Sequence, residues 1–171
     1  MRRVILASAA VLALAIASVV GTGALLPVGH TASVERTLAA PPAVVWALVT
    51  DPSGFPAWRA DVERVRVLAP GPSGPSGWVE YAGRDSLALQ VVEIAPPGRL
   101  VTRIADPSLP FGGTWTYELV ADGPGTRLRI TEDGEVYNPV FRFVARFVLG
   151  HTATLESYLQ ALEDRLARAG G

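Results

Sequence analysis

From Val62 to Val136 the chain is cut into short stretches of alternating apolar and polar residues, and each cut is a cluster rich in Pro, Gly and Asp. Alternation with period two sends successive side chains to opposite faces, so each stretch buries one face and needs neighbouring strands to satisfy its backbone. The stretches are VERVRVLA, WVEYAG, SLALQVVEI, RLVTRIA, GTWTYELV and TRLRITEDGEV. Several of the breakers between them, among them APPG and ADGPG, are short enough for hairpins, and GPSGPSG reads as a flexible turn. Ser33 to Leu38 alternates in the same way and adds a seventh strand. A curved antiparallel sheet in an α+β domain is the expectation.

A sheet apolar on one face must be covered, and the sequence offers helices at both ends. In PPAVVWALVTDP, prolines stand at the first helical turn and just past the end, with Val45, Trp46 and Val49 at helical spacing, which predicts a short helix. SGFPAWRADV reads as a loop or a second helical turn, because Pro56 cannot occupy the centre of a strand. From Asn138 to Gly170 the pattern predicts one long helix, about 48 Å if unbroken, with Gly150 as its bend. Its back half carries one stripe, Leu155, Tyr158, Leu159, Leu162 and Leu166. Its front half is apolar almost all round, through Val140, Phe141, Phe143, Val144, Phe147, Val148 and Leu149, relieved by Arg142 and Arg146 one turn apart. Three readings of that half stand open: core packing, the wall of a cavity, or contact with a membrane interface.

Ahead of the strands, MRRVILASAAVLALAIASVVGTGALLPVG has no charged residue from Val4 to Leu26. As a helix those residues reach about 34 Å, enough for a hydrocarbon core of about 30 Å. An uncleaved membrane anchor through residues 4–26 is the favoured reading; a signal peptide cleaved near Thr22-Gly23-Ala24 is the competing one. Arg2 and Arg3 favour a cytoplasmic N-terminus, and both readings place the rest outside the cytoplasm. Residues 1–32 are therefore expected to be anchor or signal plus a short linker, and residues 33–171 one folded domain.

Composition narrows the chemistry. All fifteen basic residues are Arg, and there is no Cys, so a Schiff-base lysine, a thiolate nucleophile, thiolate metal ligation and disulfides are excluded. Without Arg2 and Arg3, 13 Arg stand against 16 Asp plus Glu, about −3 in charge. With no basic stripe, nucleic acid is not an expected partner. His30 and His151 have no second ligand at metal spacing, so neither a metal nor another cofactor is expected. The loop and helix-surface serines, Ser53, Ser73, Ser76, Ser86, Ser108 and Ser157, lack a nucleophile elbow.

Parity gives the candidate site residues. In FGGTWTYELV, Trp115, Tyr117 and Leu119 share one face; in TRLRITEDGEV, Glu132 shares a face with Leu128, Ile130 and Val136. An inward Glu132 needs a partner, for which Arg103 is the first candidate; a bulge at Gly134 would instead turn it outward.

PPAVVWALVTDPSGFPAWRADVERVRVL, FGGTWTYELVADGPGTRLRITEDGEV and the closing helix together resemble the SRPBCC superfamily, helix-grip proteins that include the polyketide cyclase/dehydrase-like and START lipid-transfer families. The resemblance implies a long C-terminal helix across the concave face of the sheet, with an apolar cavity between them. Trp115, Tyr117, Glu132, Arg103, Phe141, Val144 and Phe147 are then expected to contact a ligand there. The implied function is binding or carrying a hydrophobic small molecule or lipid. A polyketide cyclase/dehydratase-like enzyme using Glu132 or Tyr117, and a ligand-free interaction module, are the alternatives.

Overall fold

A computed structural model describes residues 2–71 and 74–170. Pro72 and Ser73, within GPSGPSG, lie outside the described residues. The alternating stretches form β1 (Gly29–Leu38), β2 (Arg64–Val67), β3 (Gly77–Ala82), β4 (Asp85–Ala95), β5 (Arg99–Ile104), β6 (Phe111–Asp122) and β7 (Gly125–Val136). They build one antiparallel sheet in the order β1-β7-β6-β5-β4-β3-β2. β1 begins four residues before the alternation does, because β7 runs on to Val136 and supplies partners for Gly29 through Ala32. The expected linker is thus partly strand.

Register sorts the side chains into rows across the concave face. One row runs Ala32, Glu132, Trp115, Thr102, Val91; the next runs Val34, Ile130, Tyr117, Leu100, Ile94. Leu38, Leu100, Leu119, Leu128 and Ile130 from these strands share one core cluster with Leu155, Tyr158, Leu159 and Leu162 of the terminal helix. α2 (Pro42–Val49), with Pro42 in its first turn, adds Val45 and Val49, and a 3-10 turn over Pro52–Ala57 adds Phe55.

The C-terminal segment departs from the single long helix expected. It divides into α3 (Pro139–Val144), a π turn over Ala145–Leu149 and α4 (Ala153–Gly170). Asn138 caps α3 by accepting from the Val140 and Phe141 amides at 2.9 and 3.3 Å. Gly150 stands at φ 74°, a left-handed conformation that ends the helix outright, so it is a break and not a bend. Of these pieces, α4 is the one that packs a leucine stripe into the core of the sheet. The apolar front half turns away, leaving Phe141 49%, Phe147 58% and Val148 70% exposed. The expectation of Phe141 and Phe147 as walls of an enclosed space is corrected accordingly; Val144 is half-buried.

α1 (Arg2–Leu25) is a separate helix, mostly exposed over Ser8–Leu25, whose last turn is seated on α3. Gly23 is buried there, and a Cβ at that position would collide with the Pro139 backbone. Arg142 Nη1 donates to the Leu26 carbonyl at 2.8 Å.

Packing of this kind ranks two substitutions. Leu159→Ala, at a fully buried site on the sheet-facing side of α4, should cost about 2–5 kcal/mol, whereas Phe147→Ala should change stability by no more than about 0.5 kcal/mol. Denaturant unfolding of both variants in mild detergent checks the ranking, and equal losses would contradict it.

Candidate functional site

The concave face holds a continuous aromatic wall. Trp78 meets Phe55 edge-on with centroids 5.8 Å apart, Phe55 meets Trp58 at 5.5 Å, and Trp58 meets Tyr158 at 5.4 Å. Tyr158 in turn contacts Trp115 at 5.9 Å and Tyr117 at 5.7 Å. Such edge-to-face contacts fix ring orientations as well as burying area.

Inside this wall sits a buried ion pair. The 3-10 turn pins Arg59, whose amide donates to the Phe55 carbonyl at 2.8 Å, and aims its guanidinium at β3. Arg59 Nη1 donates to Glu80 Oε1 at 2.8 Å, and Trp78 Nε1 donates to the same oxygen at 2.9 Å. Arg59 Nη2 also binds Asp61 at 2.6 Å. The Arg59 and Glu80 side chains are only 12% and 9% exposed, while Asp61 is 63% exposed. Burial opposes the Arg59 charge, but the Asp61 hydrogen bond and the Glu80 carboxylate outweigh it and hold its pKa above the ordinary arginine value. The guanidinium also lies 5.4 Å from the centre of the Tyr158 ring.

Two phenols complete this centre. Burial, the largest influence, pushes Tyr117 and Tyr158 well above the ordinary tyrosine range, so both are neutral hydroxyls near pH 7. Among the described residues, the buried Tyr158 hydroxyl makes no hydrogen bond of good geometry, and the Tyr117 hydroxyl is the neighbour poised to partner it. A buried unpaired donor is costly, and a polar group of a bound molecule would satisfy it.

Beyond the aromatics the concave face stays partly open. Leu89, Val91 and Ile104 join Trp115 as inward-facing residues that are half-buried rather than closed over. Their row ends at Glu132, which accepts from Trp115 Nε1 at 3.0 Å and lies 3.4 Å from His30 Nε2. β7 keeps continuous register through Gly134, so no bulge turns Glu132 outward. Arg103 is not its partner. Arg103 sits opposite Thr114, which sits opposite Asp133, on the convex face, and its side chain is exposed.

His30 and His151, 121 residues apart in the chain, stack with ring centroids 4.0 Å apart. Gly134 makes this approach feasible, since a Cβ there would collide with the His30 ring. Among the described residues no three His, Asp or Glu side chains converge in a metal-holding group. Burial, then the neighbouring charges of His30 and Arg146, hold the His151 imidazole below the usual histidine value.

Trp115, Tyr117 and Glu132 therefore share the concave face, while Phe141, Phe147 and Arg103 do not join them. Pattern reading missed Arg59, Glu80, Tyr158, His30 and His151 as a site. Glu80 had a usable signal, because it shares parity with Trp78 in WVEYAG. Arg59 had none, lying in an aperiodic loop.

Two outcomes follow from this geometry. Glu80→Gln should cost about 3 kcal/mol by leaving Arg59 buried beside a neutral amide, and Asp61→Asn less than about 1 kcal/mol, in unfolding titrations. The folded His151 takes up its proton at lower pH than the unfolded chain, so protonation favours unfolding. Stability should fall as pH drops below about 6.5. His151→Gln should flatten the acid side of a thermal-midpoint-against-pH profile, with His30, Glu132 and Arg146 left in place.

The sheet-and-helix arrangement is shared with many solved structures. A START superfamily protein from Mycobacterium smegmatis aligns over 82% of this chain and 99% of its own, with 23% identity and a TM-score of 0.68. A protein from Thermus thermophilus aligns over 83% and 100%, with 26% identity and a TM-score of 0.66. The Zhui aromatase/cyclase from Streptomyces sp. R1128 aligns over 84% and 96%, with 14% identity and a TM-score of 0.68. No curated protein is significantly similar in sequence. The family model for polyketide cyclase / dehydrase and lipid transport matches residues 29–170, from the first residue of β1 through α4, and the chain belongs to that family.

Proposed function

We propose that this protein is a membrane-tethered, exported domain that binds or carries a hydrophobic small molecule or lipid on the concave face of its sheet. The observation that carries the reading is the half-open apolar surface of Leu89, Val91, Ile104 and Trp115 beside the aromatic wall. Apolar side chains facing inward yet incompletely covered are what a hydrophobic ligand would bury, with a few convergent polar groups to orient it. The Tyr158 hydroxyl, Glu132 and Tyr117 would be those groups; Trp115 would stack on the ligand.

Tethering is supported by α1, whose Ser8–Leu25 window has a mean hydropathy of 2.0. Retention of α1 is supported by its seat on the domain, since cleavage near Ala24 would remove the turn that packs on Pro139. Arg2 and Arg3 favour a cytoplasmic N-terminus and so an outward domain. The second reading, a cyclase or dehydratase, is favoured by the neutral Tyr158 hydroxyl, next to that of Tyr117 and near the Arg59 cation, a proton donor and a fixed charge within one apolar enclosure.

Purification of the full chain in mild detergent followed by native mass spectrometry tests the binding reading. A hydrophobic species should co-purify with the parent and be lost from Val91→Glu and Ile104→Glu, while Val120→Glu, at an exposed site on β6, should keep it. Equal retention by all three variants would place the ligand elsewhere, and loss from Tyr158→Phe without loss of fold would point to the hydroxyl as its anchor.

A further inference from the structure

We propose that α3 and the π turn form a docking face that lies in the headgroup layer of the membrane crossed by α1, with Arg142 and Arg146 beside the phosphates of anionic phospholipids. The inference rests on the reading of α1 as a retained anchor and adds to it an orientation and a lipid class. Gly23, buried against Pro139 at the last turn of α1, places α3 where the apolar helix ends. Any bilayer that holds Ser8–Leu25 in its hydrocarbon therefore has its interface at the level of α3.

The composition of that segment suits the position. Phe141, Phe147 and Val148 are exposed large apolar residues gathered on a segment of eleven residues, and exposure of this kind is costly against water and favourable in an interface. Leu26, Val28, His30, Arg142, Arg146 and His151 help to line a pocket of about 240 Å³ beside it. Its lining carries two arginines and two histidines and no carboxylate; of these four, Glu132 approaches the His30 ring, at 3.4 Å. Arg142 commits one nitrogen to the Leu26 carbonyl, while its Nε is buried with no partner among the described residues, and Arg146 is exposed. Guanidiniums with spare donors at a bilayer surface are complementary to lipid phosphate.

The absence of cysteine makes the test clean, because a single introduced cysteine carries the only label. Full-length Val148→Cys, Ala15→Cys and Val120→Cys chains, each bearing a nitroxide, are reconstituted into vesicles of phosphatidylcholine alone or mixed with phosphatidylglycerol. Accessibility to oxygen and to a water-soluble nickel complex then reports depth. The Val148 label should show a several-fold higher oxygen-to-nickel ratio than the Val120 label at the far end of β6, and the ratio should rise further with phosphatidylglycerol. Arg146→Gln should abolish that rise. A water-exposed Val148 label with a buried Ala15 label would overturn the docking face and leave the anchor standing; a water-exposed Ala15 label would overturn both. Identical ratios in the two lipids would also overturn the proposal. So would shielding of Val148 that depends on protein concentration and not on lipid, which assigns the face to a second copy of the chain.

Discussion

One helix cannot cover a seven-stranded concave sheet, and the rest of the molecule follows from that shortfall. A helix about 10 Å across shields roughly two strands spaced about 4.8 Å apart. α4 spends its stripe on the leucine and isoleucine rows of β1, β7 and β6, where Leu128, Ile130, Leu155, Leu159 and Leu162 reach full burial. Phe55 and Trp58, delivered by the 3-10 turn, close part of what is left and carry Arg59 in with them. The remaining strip through Leu89, Val91, Ile104 and Trp115 is half-covered, and it is the surface we propose for a ligand.

Charge inside such an enclosure is tolerated only where it is matched. Arg59 is matched by Glu80 and Asp61, and Glu132 by Trp115 and His30. Tyr158 is the exception, a buried hydroxyl beside that of Tyr117 that makes no well-formed hydrogen bond. Gly150 decides what lies outside the enclosure. By ending the helix, it lets α4 follow the sheet while α3 stays with α1, so the proposed ligand face and the proposed membrane-facing surface draw on one C-terminal segment.

The strands, their antiparallel order and the inward parity of Trp115, Tyr117 and Glu132 were legible because period two is a property of the local chain. The early start of β1 was not, since Gly29 to Ala32 become strand only through partners about a hundred residues away. Arg103 was misplaced for a related reason: parity within RLVTRIA does not say which face is concave until Thr102 is paired with Trp115. The apolar front half of the last segment left core packing, cavity wall and membrane interface open, because helical patterning continues through it. The left-handed Gly150 interrupts that continuity, and glycine alone does not announce whether it bends a helix or ends it. His30 with His151, and Arg59 with Glu80, are tertiary pairings with no sequence spacing to betray them.

The central claim is that the half-open concave strip, and not the leucine-packed part under α4, receives a hydrophobic ligand. Methyl NMR of the full chain with a fatty acid carrying a nitroxide on its alkyl tail tests it directly. The account predicts selective broadening of the Leu89, Val91 and Ile104 methyls, with those of exposed Val120 unaffected. Broadening spread evenly over the exposed methyls, or none on the concave strip, would contradict it.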